Sequence, residues 1–423
     1  MQESQRIAAI VIEKVLGGSN LDKAFEYVAK DLKEFENKAQ TKAITYGVLR
    51  NMAQSNYLIN SLVKNKIDNR LVESLLHVAL FQLSQSSHSE FTIVNQAVKA
   101  SKKIDFRKSN FVNAVLRNYL RNKKVLTKDL QNNQETKFNY PNWWINKVKI
   151  QYKNDWTDIL NIGNNHPPMT IRINKRKIDV KSYTKLLENE NILFTKLKRE
   201  GLILKNSLNV EDVPGFENGL FSVQDFGAQL TSELLDLKEN HLVLDACGAP
   251  GGKTTAILEN CNVKLISLDK SFLRANKIKE NLSRLKLKAK VMVTALDEKN
   301  KWWDKNQFDR ILLDVPCSAS GIVRRHVDIK WLRRPGDFDK FAKNQLDMLN
   351  NAWPLLKPKG KLLYVTCSIF KEENQDVISI FCKLQGNAIR RDLKFPKDIY
   401  HIKNQLIPSI NHDGLYYEIL EKK

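Results

Sequence analysis

No proline occurs between Met1 and Tyr140, and the only glycines in that stretch are Gly17, Gly18 and Gly47. Proline breaks a helix by removing an amide and crowding the preceding turn, and glycine weakens it through backbone freedom, so a stretch this long with almost neither is predicted to be all α. Val112, Val115, Leu116, Tyr119 and Leu120 recur at helical spacing behind Ser109 as an N-cap, while Asn113, Arg117 and Arg121 fall on the opposite face. Ile7 to Val15, Leu58 to Val63 and Leu71 to Leu83 carry the same period. Together they predict a bundle of about five or more helices, an architecture better suited to binding than to chemistry.

At 423 residues the chain exceeds what one core needs, and two or three domains are expected. Its 69 Lys and Arg against 47 Asp and Glu leave a formal charge of +22, which points to a polyanionic partner, nucleic acid first. Hydrophobic residues at 42% and charged residues at 27% exclude a disordered or low-complexity chain. Polar Gln131-Asn132-Asn133-Gln134 closes the helical region, and Tyr140-Pro141-Asn142-Trp143-Trp144 changes the composition abruptly, so we divide the chain into 1–135, 136–238 and 239–423. The middle part, with alternating Thr170-Ile171-Arg172-Ile173-Asn174, is predicted to be a small, basic α+β unit able to lie along RNA. Its Trp143, Trp144 and Trp156 are expected in packing rather than as base-stacking platforms.

Beyond residue 239 short apolar runs alternate with helical stretches: His241 to Leu244, Lys264 to Leu268, Lys290 to Val293, Arg310 to Leu313 and Lys361 to Val365. This βαβ series predicts an α/β, doubly wound parallel sheet, with ligands at the carboxyl ends of its strands. The first strand enters a glycine-rich turn, Asp245-Ala246-Cys247-Gly248-Ala249-Pro250-Gly251-Gly252-Lys253-Thr254, that opens a helix whose free amides suit an anionic group. A P-loop NTPase fits poorly, because Cys247 stands where the first glycine belongs and Pro250 removes a cradling amide. Asp269, ending the second strand, can accept both hydroxyls of a ribose, which points to an adenosine-bearing cofactor, and Asp297 follows the third strand where side chains face an adenine.

The five cysteines, Cys247, Cys261, Cys317, Cys367 and Cys382, are odd in number, absent from the first half and without CxxC spacing, which argues against a disulfide framework or a zinc site. The first residues show no export signal, and apolar stretches are too short to span a membrane, so a cytoplasmic protein is expected. Cys317, in Asp314-Val315-Pro316-Cys317-Ser318-Ala319-Ser320-Gly321, and Cys367, in Thr366-Cys367-Ser368, end the fourth and fifth strands. Two thiols at neighbouring strand ends can converge on one substrate. From location alone the two are equivalent as nucleophiles. The run Arg324-Arg325-His326-Val327-Asp328-Ile329-Lys330-Trp331-Leu332-Arg333-Arg334 is expected to place positive charge for RNA beside them.

In order and spacing these motifs resemble the RNA 5-methylcytosine methyltransferases of the Sun or RsmB type, over the whole chain. Val94-Asn95-Gln96-Ala97-Val98 and Phe111-Val112-Asn113-Ala114-Val115-Leu116-Arg117 are similar to the NusB-like RNA-binding bundle of that branch. The resemblance implies S-adenosylmethionine as cofactor, without a metal: its methionine part at Cys247, Gly248, Ala249, Pro250, Gly251, Gly252 and Lys253, its ribose at Asp269, its adenine near Asp297 and Asp314 at the reactive end. It further implies Cys367 as nucleophile, Cys317 as the thiol assisting release, Asp314 on the cytosine edge, Lys253 supporting the site, and 16S ribosomal RNA, free or in early assembly, as substrate; a monomer is expected. Departures from the family pattern are Gly248 and Val315, both for alanine, Ser320 for threonine and Val327 for proline. Two other readings fit the composition: the same chemistry on a transfer RNA or another ribosomal cytosine, and a non-catalytic assembly factor.

Overall fold

The computed structural model describes residues 1–31, 37–85, 88–205 and 208–423. They form two compact units: Met1–Asn165 with Val323–Pro335, and His166–Ile322 with Gly336–Lys423.

The first unit is helical, in line with its lack of breakers: α1 (Gln2–Leu16), α2 (Leu21–Asp31), α3 (Lys38–Arg50), α4 (Met52–Leu62), α5 (Arg70–Gln85), α6 (Glu90–Ile104), α7 (Ser109–Asp129), α8 (Gln134–Phe138), α9 (Asn142–Gln151) and α10 (Trp156–Asn164). Apolar faces recurring every three or four residues bury Ile7, Val11, Ile44, Val48, Leu75 and Val78 in one core and Leu76, Leu80, Val112, Leu116 and Tyr119 in another. Ser109 is the first residue of α7 rather than its cap. A 3₁₀ turn at Phe106–Lys108 precedes the helix, capped by Asp105, and the Ser109 hydroxyl donates back to the Phe106 carbonyl at 2.8 Å. Trp144 is fully buried, and Trp156 packs edge-on against Phe138.

The second unit opens with β1 (Met169–Ile173), α11 (Val180–Asn189), β2 (Phe194–Lys196), β3 (Gly201–Leu204) and β4 (Phe221–Val223), an antiparallel sheet in the order β2-β3-β1-β4. The alternation in β1 does not turn Arg172 to solvent. Its guanidinium donates to both oxygens of Glu259 at 2.9 Å and to the Gly252 carbonyl at 3.0 Å, with both side chains of the pair buried. Removing one partner leaves a buried charge alone, so Arg172→Met is expected to lose about 3–5 kcal/mol in urea unfolding, and Arg172→Met/Glu259→Leu to recover most of it.

Two short helices, α12 (Phe226–Gln229) and α13 (Thr231–Leu234), lead to β5 (Leu242–Asp245), α14 (Gly252–Asn260), β6 (Lys264–Asp269), α15 (Phe272–Leu285), β7 (Lys290–Val293) and β8 (Phe308–Asp314). The chain then leaves through Val323–Pro335, which carries α16 (Ile329–Leu332) and folds into the first unit. There Val327, Trp331 and Leu332 join the core of α1 and α3, the Trp331 indole donates to the Leu49 carbonyl at 2.7 Å, and Asp328 accepts from the Leu21 amide at 2.9 Å. Lys330 is fully buried, donating to Asn164 Oδ1 at 2.7 Å and to the Arg50 carbonyl at 3.2 Å, over the Tyr140 ring. Burial, with Arg50 adding to it, holds the Lys330 pKa well below the usual lysine range. The basic run is therefore not a uniform exposed face: Arg324 and Lys330 turn inward, and His326 and Arg334 stay exposed.

The chain returns with α17 (Asp337–Ala352), β9 (Leu356–Thr366), α18 (Gln375–Gln385), β10 (Ala388–Arg391), β11 (His401–Ile402), β12 (Gln405–Leu406) and β13 (Tyr416–Lys422). The large sheet runs β11-β12-β13-β9-β8-β5-β6-β7, with β10 on β13. Strands β5 to β9 are parallel, and β10 to β13 add an antiparallel margin. Chain order reverses between β5 and β8, the switch point at which such sheets open a crevice. Val243, Leu265, Leu312 and Leu363 fill the core on one face, and Leu244, Leu268, Ile311 and Leu362 on the other.

Candidate active site

The turn leaving β5 is held by the backbone on both sides. Gly248 N–H donates to the Leu268 carbonyl at 2.9 Å, Arg274 donates to the Ala249 carbonyl at 2.8 Å, and Asn281 donates to the Pro250 carbonyl at 3.0 Å. Gly251 has φ +104°, a left-handed conformation that favours glycine. A side chain on Gly248 would collide with Ser267 Oγ, so the departure from alanine at 248 has a physical reason: Ser267 already fills the space a methyl would take.

Asp269, the last residue of β6, is buried, accepts from the Ser271 amide at 2.9 Å and lies 3.5 Å from Arg274. Asp297 is exposed, four residues beyond β7. Asp314 ends β8 and accepts from Lys253 Nζ at 2.6 Å, so the first turn of α14 is tied to the neighbouring strand end. Although burial works against its charge, Lys253 has its pKa raised by the Asp314 carboxylate. Burial pushes the Cys247 thiol up, with Asp314 and Asp245 adding to it, so Cys247 stays protonated at neutral pH.

Cys317 Sγ and Cys367 Sγ lie 3.2 Å apart, and both are free thiols. The pair is not symmetric: Cys317 is buried and Cys367 half-buried. The hydrogen bond with Cys367, then burial, and the nearby Glu373 carboxylate raise the Cys317 pKa well above the usual thiol range. Cys317 therefore stays protonated at neutral pH.

A cavity of about 560 Å³ collects these groups, with Cys247, Ala249, Asp269, Asp297, Asp314, Cys317 and Cys367 on its wall. Gly248, Pro250, Gly251, Gly252 and Lys253 are not on that wall; they shape the turn from behind, and Gly252 gives its carbonyl to Arg172. Sequence reasoning missed the cavity-lining face of α17, Asn344, Asp347 and Asn351. It also missed Glu373, which the charged run Lys371-Glu372-Glu373 disguises as surface.

The donor set fits S-adenosylmethionine. Asp269 places a carboxylate on the wall of a cavity whose volume is in the range of small-molecule sites. Below it, fully buried Asp245 accepts from Thr254 Oγ1 at 2.6 Å through Oδ2. Burial raises the Asp245 pKa to about 7. An acid whose folded pKa lies above its unfolded one costs nothing below about pH 4 and destabilises progressively as pH rises to about 7. Urea midpoints measured from pH 4 to 8 are expected to fall more steeply for the wild type than for Asp245→Asn.

A sheet that reverses at β5 and β8, with a buried carboxylate ending β6 and paired thiols just beyond β8 and β9, is that of a Rossmann-like S-adenosylmethionine-dependent methyltransferase. The family model for 16S rRNA methyltransferase RsmB/F matches residues 232–421, the ferredoxin-like domain of RsmF/B-like methyltransferases matches 140–211, and the NusB family matches 2–121. Ribosomal RNA small subunit methyltransferase B of Proteus mirabilis (strain HI4320) is 36% identical over 99% of this chain and 98% of its own length, and that of Vibrio vulnificus (strain YJ016) is 34% identical over 98% of each. The crystal structure of PH0851 superposes with a TM-score of 0.79 at 26% identity, covering 99% of both chains. The chain belongs to the ribosomal RNA small subunit methyltransferase B family.

Proposed function

We propose that this protein methylates carbon 5 of a specific cytosine in 16S ribosomal RNA through a covalent cysteine adduct at carbon 6. The observation that carries the reading is the thiol pair, 3.2 Å apart on the wall of a cavity that Asp269 and Asp314 also line. Carbon 5 of cytosine is too weak a nucleophile unaided, and addition of a thiolate to carbon 6 makes the ring enamine-like. Cys367, the more exposed sulfur, makes that bond. Asp314 hydrogen-bonds the cytosine edge near N3, and Lys253 holds Asp314 in place. S-adenosylmethionine, when bound, supplies the electrophilic methyl group. Release is then an elimination that Cys317 assists: solvent takes the carbon 5 proton, the freed electron pair restores the 5,6 double bond, and the carbon 6–sulfur pair leaves with Cys367 as its thiolate.

Cys247 to Lys253 would hold the methionine part of the cofactor, Asp269 the ribose and Asp297 the adenine. Transfer from a sulfonium calls for in-line positioning and desolvation rather than a Lewis acid, so the reading invokes no metal. The target base has to leave its stack to reach the thiols, which favours an unpaired segment or loop. Residues 1–135 and 136–238 contribute RNA contacts and 239–423 the chemistry, in a monomer acting in the cytoplasm. Among the described residues no helix is long and apolar enough to cross a membrane.

The test is to incubate the purified protein with radiolabelled S-adenosylmethionine and undermodified small-subunit RNA, digest, and identify the labelled nucleoside. 5-Methylcytosine in 16S RNA is expected. Label in transfer RNA alone would move the substrate, and cofactor binding without any label would favour an assembly factor.

A further inference from the structure

Glu373 is a fully buried carboxylate six residues beyond Cys367, outside the motifs named above. Its Oε1 accepts from the Ser318 amide at 2.7 Å and from Gln345 Nε2 at 3.1 Å. Its Oε2 accepts from the hydroxyls of Ser318 at 2.5 Å and Ser368 at 2.6 Å. Ser318 follows Cys317 and Ser368 follows Cys367, so one carboxylate grips the residue next to each thiol. Gln345 on α17 also donates to the Pro316 carbonyl at 3.1 Å, which adds a third brace on the Cys317 loop. Ser320 joins the same cluster, its hydroxyl 3.0 Å from that of Ser368 and accepting from the Ile369 amide.

Four donors on one carboxylate match the four lone-pair positions of the ionised form, and no neutral isostere can accept all four. A buried carboxylate whose partners are an amide N–H, a side-chain amide and two hydroxyls is costly, and what it supplies in return is a fixed geometry for the two loops it joins. We propose that Glu373 is a positioning residue that clamps the two cysteine loops and sets the separation of the thiols. The proposal rests on the reading of Cys317 and Cys367 as the reacting pair.

Glu373→Gln tests it. Its amide nitrogen faces donors where an oxygen accepted, so the loops lose their common anchor. Turnover is expected to fall roughly 10- to 100-fold, the scale of an ångström-level misplacement, with cofactor affinity by calorimetry and the KM for RNA unchanged within about twofold. A second readout needs no methyl transfer. Diamide oxidises two close thiols to a disulfide, the two protons and two electrons reducing its azo bond to the hydrazine. The Cys317–Cys367 crosslink, mapped by mass spectrometry, is expected to form several-fold more slowly in Glu373→Gln. Of the four bonds to Glu373, Ser368→Ala removes the one on the Cys367 side, along with the contacts of that hydroxyl to Ser318, Ser320 and the Phe370 amide, and decides the matter if Glu373→Gln does not fold. Variants that fold, bind cofactor and keep wild-type turnover and crosslinking rate overturn the proposal. A wild-type enzyme that makes no 5-methylcytosine but crosslinks at a rate dependent on Glu373 overturns the functional reading and leaves the clamp standing.

Discussion

Cys317→Ala, mixed with S-adenosylmethionine and small-subunit RNA, is expected to accumulate a denaturant-stable protein–RNA adduct, while Cys367→Ala forms none and loses at least about 10³-fold in turnover. On the proposed reading the two thiols divide the work because their surroundings differ. Cys317 is buried, and its partner sulfur, burial and Glu373 keep it protonated, which disfavours it as the attacking thiolate and leaves it the part played after the adduct has formed. Both thiols line the cavity, Cys367 is the less buried of the two, and on the proposed reading it makes the first bond. Without Cys367 the ring is never activated; without Cys317 activation and methyl uptake proceed and the carbon–sulfur bond persists. Gel shift under denaturing conditions, followed by peptide mapping of the attachment point, reads both outcomes. An adduct in Cys367→Ala and none in Cys317→Ala would exchange the two roles.

Asp314→Asn is expected to lower kcat/KM by about 10² to 10³ while leaving the fold intact. The carboxylate ends β8, faces the cavity and is held by Lys253 at 2.6 Å. An amide of the same shape keeps the packing and gives up the negative charge that favours a protonated cytosine edge. It also leaves the Lys253 ammonium, largely buried, without its counter-charge. The Cys317→Ala/Asp314→Asn double variant separates the steps: adduct yield should drop along with turnover if Asp314 assists addition at carbon 6. Near-normal turnover in Asp314→Asn would remove Asp314 from the chemistry.

Much of the site was legible before any coordinates, because a parallel sheet delivers strand ends to one crevice. Asp245, Asp269, Asp314 and Cys367 each follow an apolar run, and the sheet places all four runs side by side. The antiparallel margin was less visible: β10, β11 and β12 are only two to four residues long and carry no period of their own. Burial of charge was the least legible property. Arg172 sits in an alternating run and reads as solvent-facing, yet its partner Glu259 lies 87 positions away. Lys330 reads as part of a basic RNA-facing run, yet it lies inside the helical unit against Asn164 and the Tyr140 ring.

The sequence by itself determined the helical character of the first region, the run of parallel strands in the last and which candidate groups stand at the ends of those strands. These depend on local periodicity, on breakers and on residue chemistry, all properties of neighbours in the chain. Only the tertiary structure decided that Cys317 is the buried thiol, that Lys253 grips Asp314, that Ser267 excludes a methyl at Gly248 and that Glu373 joins the two cysteine loops. Each of these is a relation between segments far apart in sequence, where desolvation and hydrogen-bond satisfaction act on whatever the fold brings together and no local pattern records the partner.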